Sequence, residues 1–254
     1  MEKVSIIENQ RLSERVFLLE ISARGKLLSI RPGQFLKIRL PDARYDPLFP
    51  RPFTVHSFQG ESLKVLYQVV GKGTQALSKL LQGEELFVLG PLGRPYPETV
   101  EFPLGLCAGG VGVAGFGFFL ERMPAEERKK TLLYYGAKTS KDLLRLEYFK
   151  SFGIDFRLAT EDGSLGSRGL VTDVLEEDLK EGKIKTLLAC GPMPMLKVVK
   201  ALSEKYGVQT YLSLETFMAC GTGFCKGCVV KKRGGGFFHL CEEGPTLSAK
   251  EVFL

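Results

Sequence analysis

Hydrophobic residues follow two different patterns along this chain, and the change falls near Pro95–Pro97. Before it, short stretches rich in Val, Ile, Leu and Phe, at 16–21, 35–40 and 63–70, are separated by Gly and Pro turns. Short apolar runs bounded by turn residues are typical of an antiparallel barrel or sandwich. The first part of the chain is therefore predicted to form an antiparallel β-barrel.

After Pro97, apolar strands alternate with amphipathic helical segments. The predicted strands are 104–108, 132–137, 155–160, 186–190 and 209–214, and the predicted helices are 113–122, 171–179 and 195–206. Such alternation is typical of a parallel sheet covered by helices. The predicted fold class is thus a two-domain α+β protein with a C-terminal α/β sheet and a cysteine-bearing tail, divided at 1–97, 98–212 and 213–254.

Composition and charge indicate a globular protein but do not indicate its function. An apolar fraction of 44% is enough for a real core, and no hydrophobic run reaches the length of a membrane span. The net charge of +6 includes one basic cluster, Lys231–Arg233, which runs into three glycines and favours a solvated turn over a nucleic-acid patch. No signal peptide precedes the chain, so a reducing, cytoplasmic location is expected.

Four cysteines near the C-terminus carry the most specific chemistry. Cys220, Cys225, Cys228 and Cys241 are spaced Cys-x4-Cys-x2-Cys-x12-Cys, which begins as plant-type ferredoxins do when they bind a [2Fe-2S] cluster. A structural zinc site also takes four thiolates, but it usually has two Cys-x2-Cys pairs, and here there is one. The spacing therefore favours a [2Fe-2S] cluster, with zinc as the alternative and disulfides less favoured.

Two segments of the first half are suited to bind a phosphate. Arg51-Pro52-Phe53-Thr54 begins a predicted strand, and Gly73-Thr74 begins a predicted helix whose apolar positions are Ala76, Leu77, Leu80 and Leu81. An arginine offers a planar fork of donors, while Thr74 as N-cap and the amides of the first turn add partial positive charge. Each segment alone would be ordinary; together they predict a phosphate site.

The second half carries a glycine-rich turn between a strand and a helix. Gly110, Gly112 and Gly115 match Gly-x-Gly-x-x-Gly in the context that cradles a dinucleotide pyrophosphate. The acidic ribose ligand expected about 20 residues later is missing, and Lys138 and Lys141 lie nearby, so NAD and NADP both stay open. Cys190-Gly191-Pro192 ends a later strand, as either a buried turn or a nicotinamide contact.

These motifs together resemble the ferredoxin-NADP reductase superfamily over nearly the whole chain. Arg51-Pro52-Phe53-Thr54 and Gly73-Thr74 resemble its flavin motifs, and the resemblance implies FAD contacts there and at Gln68, Val69 and Val70. Gly109, Gly110 and Gly112, with Cys190-Gly191-Pro192, resemble its nicotinamide-nucleotide motifs. The tail, including Met218–Gly223 and Cys241–Pro245, resembles the electron-transfer subunits of NAD-dependent dihydroorotate dehydrogenases, in which such cysteines hold a [2Fe-2S] cluster.

The resemblance implies a function divided between two chains. It implies that an FMN-containing catalytic subunit oxidises dihydroorotate in pyrimidine biosynthesis, and that electrons pass through the cluster and FAD of this chain to NAD+. It also implies a heterotetramer of two plus two chains, with no catalytic acid or base here. The alternatives are a subunit of a ferredoxin:NADP oxidoreductase or cytosolic hydrogenase, a free-standing NADH-linked diaphorase, and a zinc-stabilised interaction module.

Overall fold

The first half of the chain folds as a curled antiparallel sheet. The computed structural model describes residues 1–41, 46 and 48–254. The strands are β1 (Glu2–Arg11), β2 (Val16–Ser22), β3 (Phe35–Arg39), β4 (Arg51–Thr54), β5 (Ser57–Gln59), β6 (Ser62–Gln68) and β7 (Glu85–Leu92). They form one seven-stranded sheet in the order β4-β3-β7-β1-β2-β6-β5. The predicted strands at 16–21, 35–40 and 63–70 are confirmed to within two residues.

The curl of this sheet brings its two ends together. Phe53 on β4 packs edge-on against Tyr67 on β6, with ring centroids 5.8 Å apart. Apolar side chains from both ends, such as Leu36 and Val65, are fully buried inside the curve. A short 3-10 helix (Gly25–Ser29) and the helix α1 (Lys72–Leu77) complete this half. The predicted antiparallel barrel is confirmed.

The second half alternates strands and helices as predicted. Its strands are β8 (Leu104–Gly109), β9 (Thr131–Ala137), β10 (Asp155–Thr160), β11 (Ser167–Arg168), β12 (Thr186–Cys190) and β13 (Gln209–Ser213). Its helices are α2 (Ala114–Arg122), α3 (Ala125–Arg128), α4 (Leu146–Lys150), α5 (Val171–Lys180) and α6 (Met193–Tyr206), with 3-10 turns at Gly110–Val113 and Ser140–Asp142. Gly207 ends α6 in the left-handed region, with φ of 70°, as helix C-termini often do.

The C-terminal region adds short elements. These are β14 (Val229–Lys231), β15 (Phe237–His239), α7 (Leu240–Glu243) and β16 (Thr246–Ser248). β14 pairs with β15, and β16 adds an antiparallel edge to the second sheet, whose order is β11-β10-β9-β8-β12-β13-β16. All other pairs in that sheet are parallel. The α/β prediction is confirmed, apart from this antiparallel edge.

A charged residue, Asp178 of helix α5, is buried against the second sheet. Its carboxylate accepts a hydrogen bond from Tyr134 at 2.7 Å and pairs with Lys183 at 2.8 Å and Arg157 at 3.2 Å. Burial works to raise the pKa of Asp178, but the hydrogen bonds from Lys183 and Tyr134 and the charge of Arg157 outweigh it and hold that pKa below its usual value. The carboxylate is therefore charged and paired in the folded protein.

The chain divides into two compact units that do not follow the order of the sequence. One unit contains Met1–Tyr96, Glu215–Val229 and Phe238–Pro245, and the other contains Pro97–Leu214, Val230–Phe237 and Thr246–Leu254. The chain thus passes from one unit to the other five times. Whether 213–254 forms a separate domain stays a prediction. Among the described residues, no helix has both the length and the hydrophobicity needed to cross a bilayer.

Candidate functional site

A pocket in the barrel unit brings together the two segments that were predicted to bind phosphate. Its wall is formed by Ile38, Arg39, Leu40, Phe49, Arg51, Phe53, Gly73 and Leu77. Arg51 begins β4 as predicted, and its guanidinium donates a hydrogen bond to the carbonyl of Phe49. A cationic fork in a largely apolar wall suits a ligand with a phosphate and an aromatic ring.

The start of α1 differs from the prediction. Gly71, and not Thr74, is the N-cap, because the helix begins at Lys72 and Thr74 is its third residue. The Thr74 hydroxyl reaches back and accepts hydrogen bonds from the amides of Val70 at 3.0 Å and Gly71 at 3.2 Å. These amides are therefore paired within the protein. The prediction started the helix too late because glycines at 71 and 73 weaken the helical signal.

The predicted apolar face of α1 is also shorter than expected. The helix ends at Leu77, which is buried, and Leu81 lies beyond it with 70% of its surface exposed. Before the helix, Gln68 ends β6, the Val69 carbonyl accepts from Arg15, and Val70 is exposed. The prediction that Leu80 and Leu81 belong to the apolar face of this helix was wrong, because the six-residue helix makes fewer than two turns and ends before them.

In the second unit, the glycine-rich turn lies where two neighbouring parallel strands end. β8 ends at Gly109, and the 3-10 turn and α2 follow directly. β12 pairs with β8 so that Cys190 lies opposite Ala108. From this pair the chain adds β9 and β10 on one side and β13 on the other, which makes it the topological switch point of the sheet. Open α/β sheets bind ligands in the crevice at such a point.

Close contacts with backbone and side-chain atoms leave little room for a side chain at three glycine positions there. A Cβ on Gly112 would lie 2.2 Å from the carbonyl oxygen of Cys190, and one on Gly109 would lie 2.8 Å from Pro192. A Cβ on Gly191 would lie 2.5 Å from the methyl of Met195. The predicted Gly109–Gly112 and Cys190–Pro192 motifs therefore meet, as a nucleotide site requires.

The four predicted cluster cysteines lie within the barrel unit, and backbone amides point at their sulfurs. The amides of Cys225 and Thr222 donate to the Cys220 sulfur at 3.3 and 3.4 Å. The Gly223 amide donates to the Cys241 sulfur at 3.1 Å, and the Cys228 and Cys241 sulfurs are 3.2 Å apart. N–H groups directed at thiolate sulfurs are the second shell that tunes iron–sulfur clusters.

The cysteine sulfurs differ in environment. Hydrogen bonds from the amides of Cys225 and Thr222 lower the pKa of Cys220 to about 6, which favours a thiolate at neutral pH. Burial, with the neighbouring Cys228 sulfur, raises the pKa of Cys241 to about 11. The Cys220 sulfur is thus partly exposed and favoured as a thiolate, whereas the Cys241 sulfur is buried and its charged form would be stabilised by a bound metal.

The loop geometry fits a cluster with thiolate ligands. Gly221 and Gly223 both have left-handed φ values near 80°, and Lys226, with φ of 56°, is ion-paired to Glu242 at 2.6 Å. Among residues 1–41, 46 and 48–254, no three His, Cys, Asp or Glu side chains are grouped to hold a single metal ion. The assignment of the four cysteines as cluster ligands stays a prediction, supported by spacing and by the amides around them.

One residue that the sequence predictions passed over lies against this loop. Lys37, in the middle of β3, is fully buried, and its ammonium donates to the carbonyls of Met218 and Ala219, immediately before Cys220. A lysine inside the apolar run Phe35–Leu40 was the available signal. Two aromatic side chains near the cysteines are exposed to solvent: Phe217, three residues before Cys220, is 97% exposed, and Phe224, directly before Cys225, is 92% exposed.

Two family models match the parts of the chain that carry these sites. The iron-sulfur cluster binding domain of dihydroorotate dehydrogenase B matches residues 215–253, which include all four cysteines. The oxidoreductase NAD-binding domain matches residues 106–201, which include the glycine-rich turn and Cys190–Pro192. Both matches agree with the chemistry of the segments that they cover.

Whole-chain relatives decide the family. The chain is 37% identical over 250 residues to a dihydroorotate dehydrogenase B (NAD(+)) electron transfer subunit homolog from Aquifex aeolicus (strain VF5), covering 98% of this chain and 97% of that protein. The chain belongs to this electron transfer subunit family. A member from Caldanaerobacter subterraneus is 34% identical over 253 residues, and the match covers 98% of this chain and 97% of that protein. The resemblance seen in the tail is confirmed.

A solved structure extends the family's fold to a related complex. The structure of an NADH-dependent reduced ferredoxin-NADP oxidoreductase matches with a TM-score of 0.85 and 29% identity, over 100% of this chain and 90% of that one. The fold of the whole chain is therefore shared with that structure. Neither comparison tests individual residues, so the predicted contacts of Arg51, Thr54 and Gly112 stay predictions.

Proposed function

We propose that this chain is the electron-transfer subunit of an NAD-dependent dihydroorotate dehydrogenase in pyrimidine biosynthesis. Electrons leave dihydroorotate in a partner catalytic subunit and reach NAD+ through a [2Fe-2S] cluster and FAD bound here. End-to-end similarity to the family's electron transfer subunits carries the proposal, because it includes both the barrel and the cysteine tail.

The barrel pocket supports the FAD part of the proposal. We propose that Arg51 holds a pyrophosphate oxygen pair and that Phe49 and Phe53, which line the same pocket, form an apolar wall for the ring system. Thr54, the last residue of the same strand, adds a hydroxyl for the flavin edge. A bound flavin supplies the exchange between a hydride pair and single electrons, and an iron–sulfur cluster carries electrons singly.

The nicotinamide nucleotide is proposed to bind at the switch point of the second sheet. Gly110 and Gly112 directly follow β8, at the strand end where such sheets bind ligands. Cys190–Pro192 lies against the same turn and would contact the nicotinamide end. NAD+ is proposed as the acceptor because the family's names specify it.

The catalytic partner is proposed to contact the cysteine loop. Phe217 and Phe224 are among the most exposed large hydrophobic side chains of the described residues, and they border Cys220 and Cys225. Exposed aromatic rings are frequent anchors of protein interfaces. We propose that the partner carries FMN and that the assembly is a heterotetramer with two copies of each chain.

A second function is favoured by one specific observation. The oxidoreductase structure similar to this chain belongs to an NADH-dependent reduced ferredoxin-NADP oxidoreductase and covers it completely. A subunit of such a complex would use the same flavin, cluster and nucleotide sites with a different partner. The partner, and not the chain's own sites, distinguishes the two functions.

Reconstitution with the candidate partner tests the proposal. Purified anaerobically, the chain alone should reduce artificial dyes with NADH and should not oxidise dihydroorotate; NAD+-linked dihydroorotate oxidation should appear when the catalytic subunit is added. Cys225→Ser should abolish the coupled activity and the cluster's iron and sulfide while FAD stays bound. Cys107→Ala, which changes a buried cysteine of β8, is the matched control and should retain both.

Other outcomes would contradict parts of this proposal. Zinc without iron or sulfide would exclude the cluster, and full coupled activity of Cys225→Ser without a cluster would exclude the electron route. Reduction of NADP+ with ferredoxin, without dihydroorotate coupling, would favour the second function.

A further inference from the structure

Lys37 is a buried cation that has no carboxylate partner among the residues that the structure describes. It is fully buried in β3, and no carboxylate of the described residues lies within ion-pair distance of its ammonium. Its hydrogen bonds go to two carbonyls, those of Met218 and Ala219. An ammonium removed from water is costly unless negative charge compensates it, so its surroundings must supply that charge.

The surroundings identify the source of that charge. Burial lowers the pKa of Lys37, and the positive charge of Arg51 on the neighbouring strand acts in the same direction. The side chains of Cys220, Cys225 and Cys241 act in the opposite direction and raise that pKa. The predicted cluster ligands are therefore the neighbours that supply negative charge to Lys37 when they are deprotonated.

The cysteine loop is also built around the stem of Lys37. A Cβ on Gly221, the residue after Cys220, would lie 2.5 Å from the Lys37 Cδ. Gly221 has φ of 78°, so the chain turns over the lysine in a conformation that favours glycine. The two carbonyl acceptors come directly before the first cysteine and the stem contact directly after it, so the ammonium is held beside the start of the loop.

We propose that Lys37 is a fixed positive charge beneath the cysteine loop that raises the reduction potential of the [2Fe-2S] cluster. This inference rests on the proposed function, because it requires a cluster at these cysteines. Reduction adds one negative charge to a cluster, and nearby net charge is one of the factors that set cluster potentials. A buried cation is screened little by salt and water, so it stabilises the reduced form more than a surface lysine does.

Lys226 provides a matched control within the same loop. It lies between Cys225 and Cys228, but it is 56% exposed and paired with Glu242. Lys226→Gln removes the same charge as Lys37→Gln from a site where water and a carboxylate already screen it. A third variant, Lys37→Arg, keeps the charge while changing the shape of the side chain.

The test is an anaerobic redox titration of the complete chain, followed by electron paramagnetic resonance of the reduced cluster. At the wild-type midpoint potential, Lys37→Gln should lower the ratio of reduced to oxidised cluster by about tenfold, which is 59 mV for a one-electron couple. Lys226→Gln and Lys37→Arg should change that ratio by less than about threefold, which is under half of that shift.

Each outcome decides a separate point. Equal midpoints for Lys37→Gln and Lys226→Gln would contradict the role of Lys37 while leaving the cluster intact. If Lys37→Gln assembles no cluster, Lys37→Arg decides, because a tenfold shift with the charge retained would contradict an electrostatic role. A wild-type chain without a [2Fe-2S] signal would refute the proposed function itself.

Discussion

Single side chains decide which atoms face each proposed ligand. Arg51 supplies the fork of donors at the barrel pocket, and Thr74 does a different task from the one predicted, since its hydroxyl pairs the amides of Val70 and Gly71. The charged contacts of the pocket therefore depend on Arg51 more than on the start of α1. Asp178 is a second example of a single side chain that matters, because three partners in the second unit stabilise its charged carboxylate.

Arg51→Ala should weaken FAD binding by about 1.5 to 3 kcal/mol, the scale of a hydrogen bond to a charged group. The dissociation constant, measured by the recovery of free flavin fluorescence on dilution, checks this. Arg24→Ala removes the same charge from an exposed position of the same unit and should leave FAD binding unchanged. Wild-type affinity in Arg51→Ala would show that Arg51 serves the strand and not the flavin.

Asp178→Asn should lower the free energy of unfolding by about 2 kcal/mol at pH 7, because a buried carboxylate bonded to charged groups is lost. The folded-state pKa of Asp178 lies below its unfolded value, so its stabilisation is present above the unfolded pKa and disappears as the pH falls through the folded one. Urea unfolding at pH 7 and near pH 3 should therefore show a difference that shrinks in acid.

The control for this change is Glu181→Gln, which removes a carboxylate that pairs with the same Lys183 but is 60% exposed. It should change stability by less than about 1 kcal/mol at either pH. A Glu181→Gln effect as large as that of Asp178→Asn would mean that burial of the carboxylate is not what matters.

Sequence alone identified side chains whose chemical type indicates a ligand. It missed side chains whose role depends on burial in the fold. The spacing of Cys220 to Cys241 and the position of Arg51 were visible in the sequence. Thiolates bind metals and guanidinium groups bind phosphates, so these residue types indicate a ligand before the fold is known. Lys37 was not, because only the fold shows that its ammonium lies under a loop 181 residues away along the chain. Thr74 was misplaced by three residues because neighbouring glycines hid the helix start.

Elements were easier to predict than their caps and edges. The strands predicted at 16–21 and 209–214 and helices such as Val171–Lys180 follow clear hydrophobic periods, so their positions agree closely with prediction. The strands β1 and β7 were not predicted. β16 spans three residues, too few for a period of two to be recognised, and it was missed. Parallel topology alone predicts that the turns after β8 and β12 lie near each other. The short distance between Gly112 and the Cys190 carbonyl is visible only in the folded structure.

Gly112→Ala should weaken NADH binding at least about tenfold, because a Cβ 2.2 Å from the Cys190 carbonyl must push the two turns apart. Binding measured by calorimetry, with FAD content as a check on folding, tests this. Gly110→Ala is the paired control: its φ of 55° strains an alanine, but its Cβ meets no atom within 4 Å. Equal losses in both variants would show that overlap with the Cys190 carbonyl is not what weakens NADH binding.

The whole molecule carries three proposed sites: the nucleotide turn, the barrel pocket and the cysteine loop, and the cysteine loop is also the proposed partner surface. The nucleotide turn belongs to the second unit, while the barrel pocket and the cysteine loop belong to the first. Phe217 and Phe224 are sequence neighbours of Cys220 and Cys225 in the first unit, and the side chains of the nucleotide turn are not among them. Partner binding and NADH chemistry should therefore be separable by mutation.

The double change Phe217→Ser with Phe224→Ser should weaken binding to the catalytic subunit at least tenfold, because exposed aromatic anchors are expected to contribute more than 1 kcal/mol each. Dye reduction by NADH should stay at its wild-type rate. Phe253→Ser, which changes an exposed phenylalanine of the other unit, should leave association unchanged. Unaltered association of the double variant would place the partner elsewhere.

The five passages of the chain between its two units have a consequence for how the protein is made. The ribosome releases the barrel strands first, but their unit is completed only by Glu215–Val229 and Phe238–Pro245. Cys241, the last predicted ligand, emerges after every strand of the parallel part of the second sheet. We therefore expect cluster insertion to be the closing step of maturation. A cell short of iron should then accumulate chains that have bound flavin but await their metal.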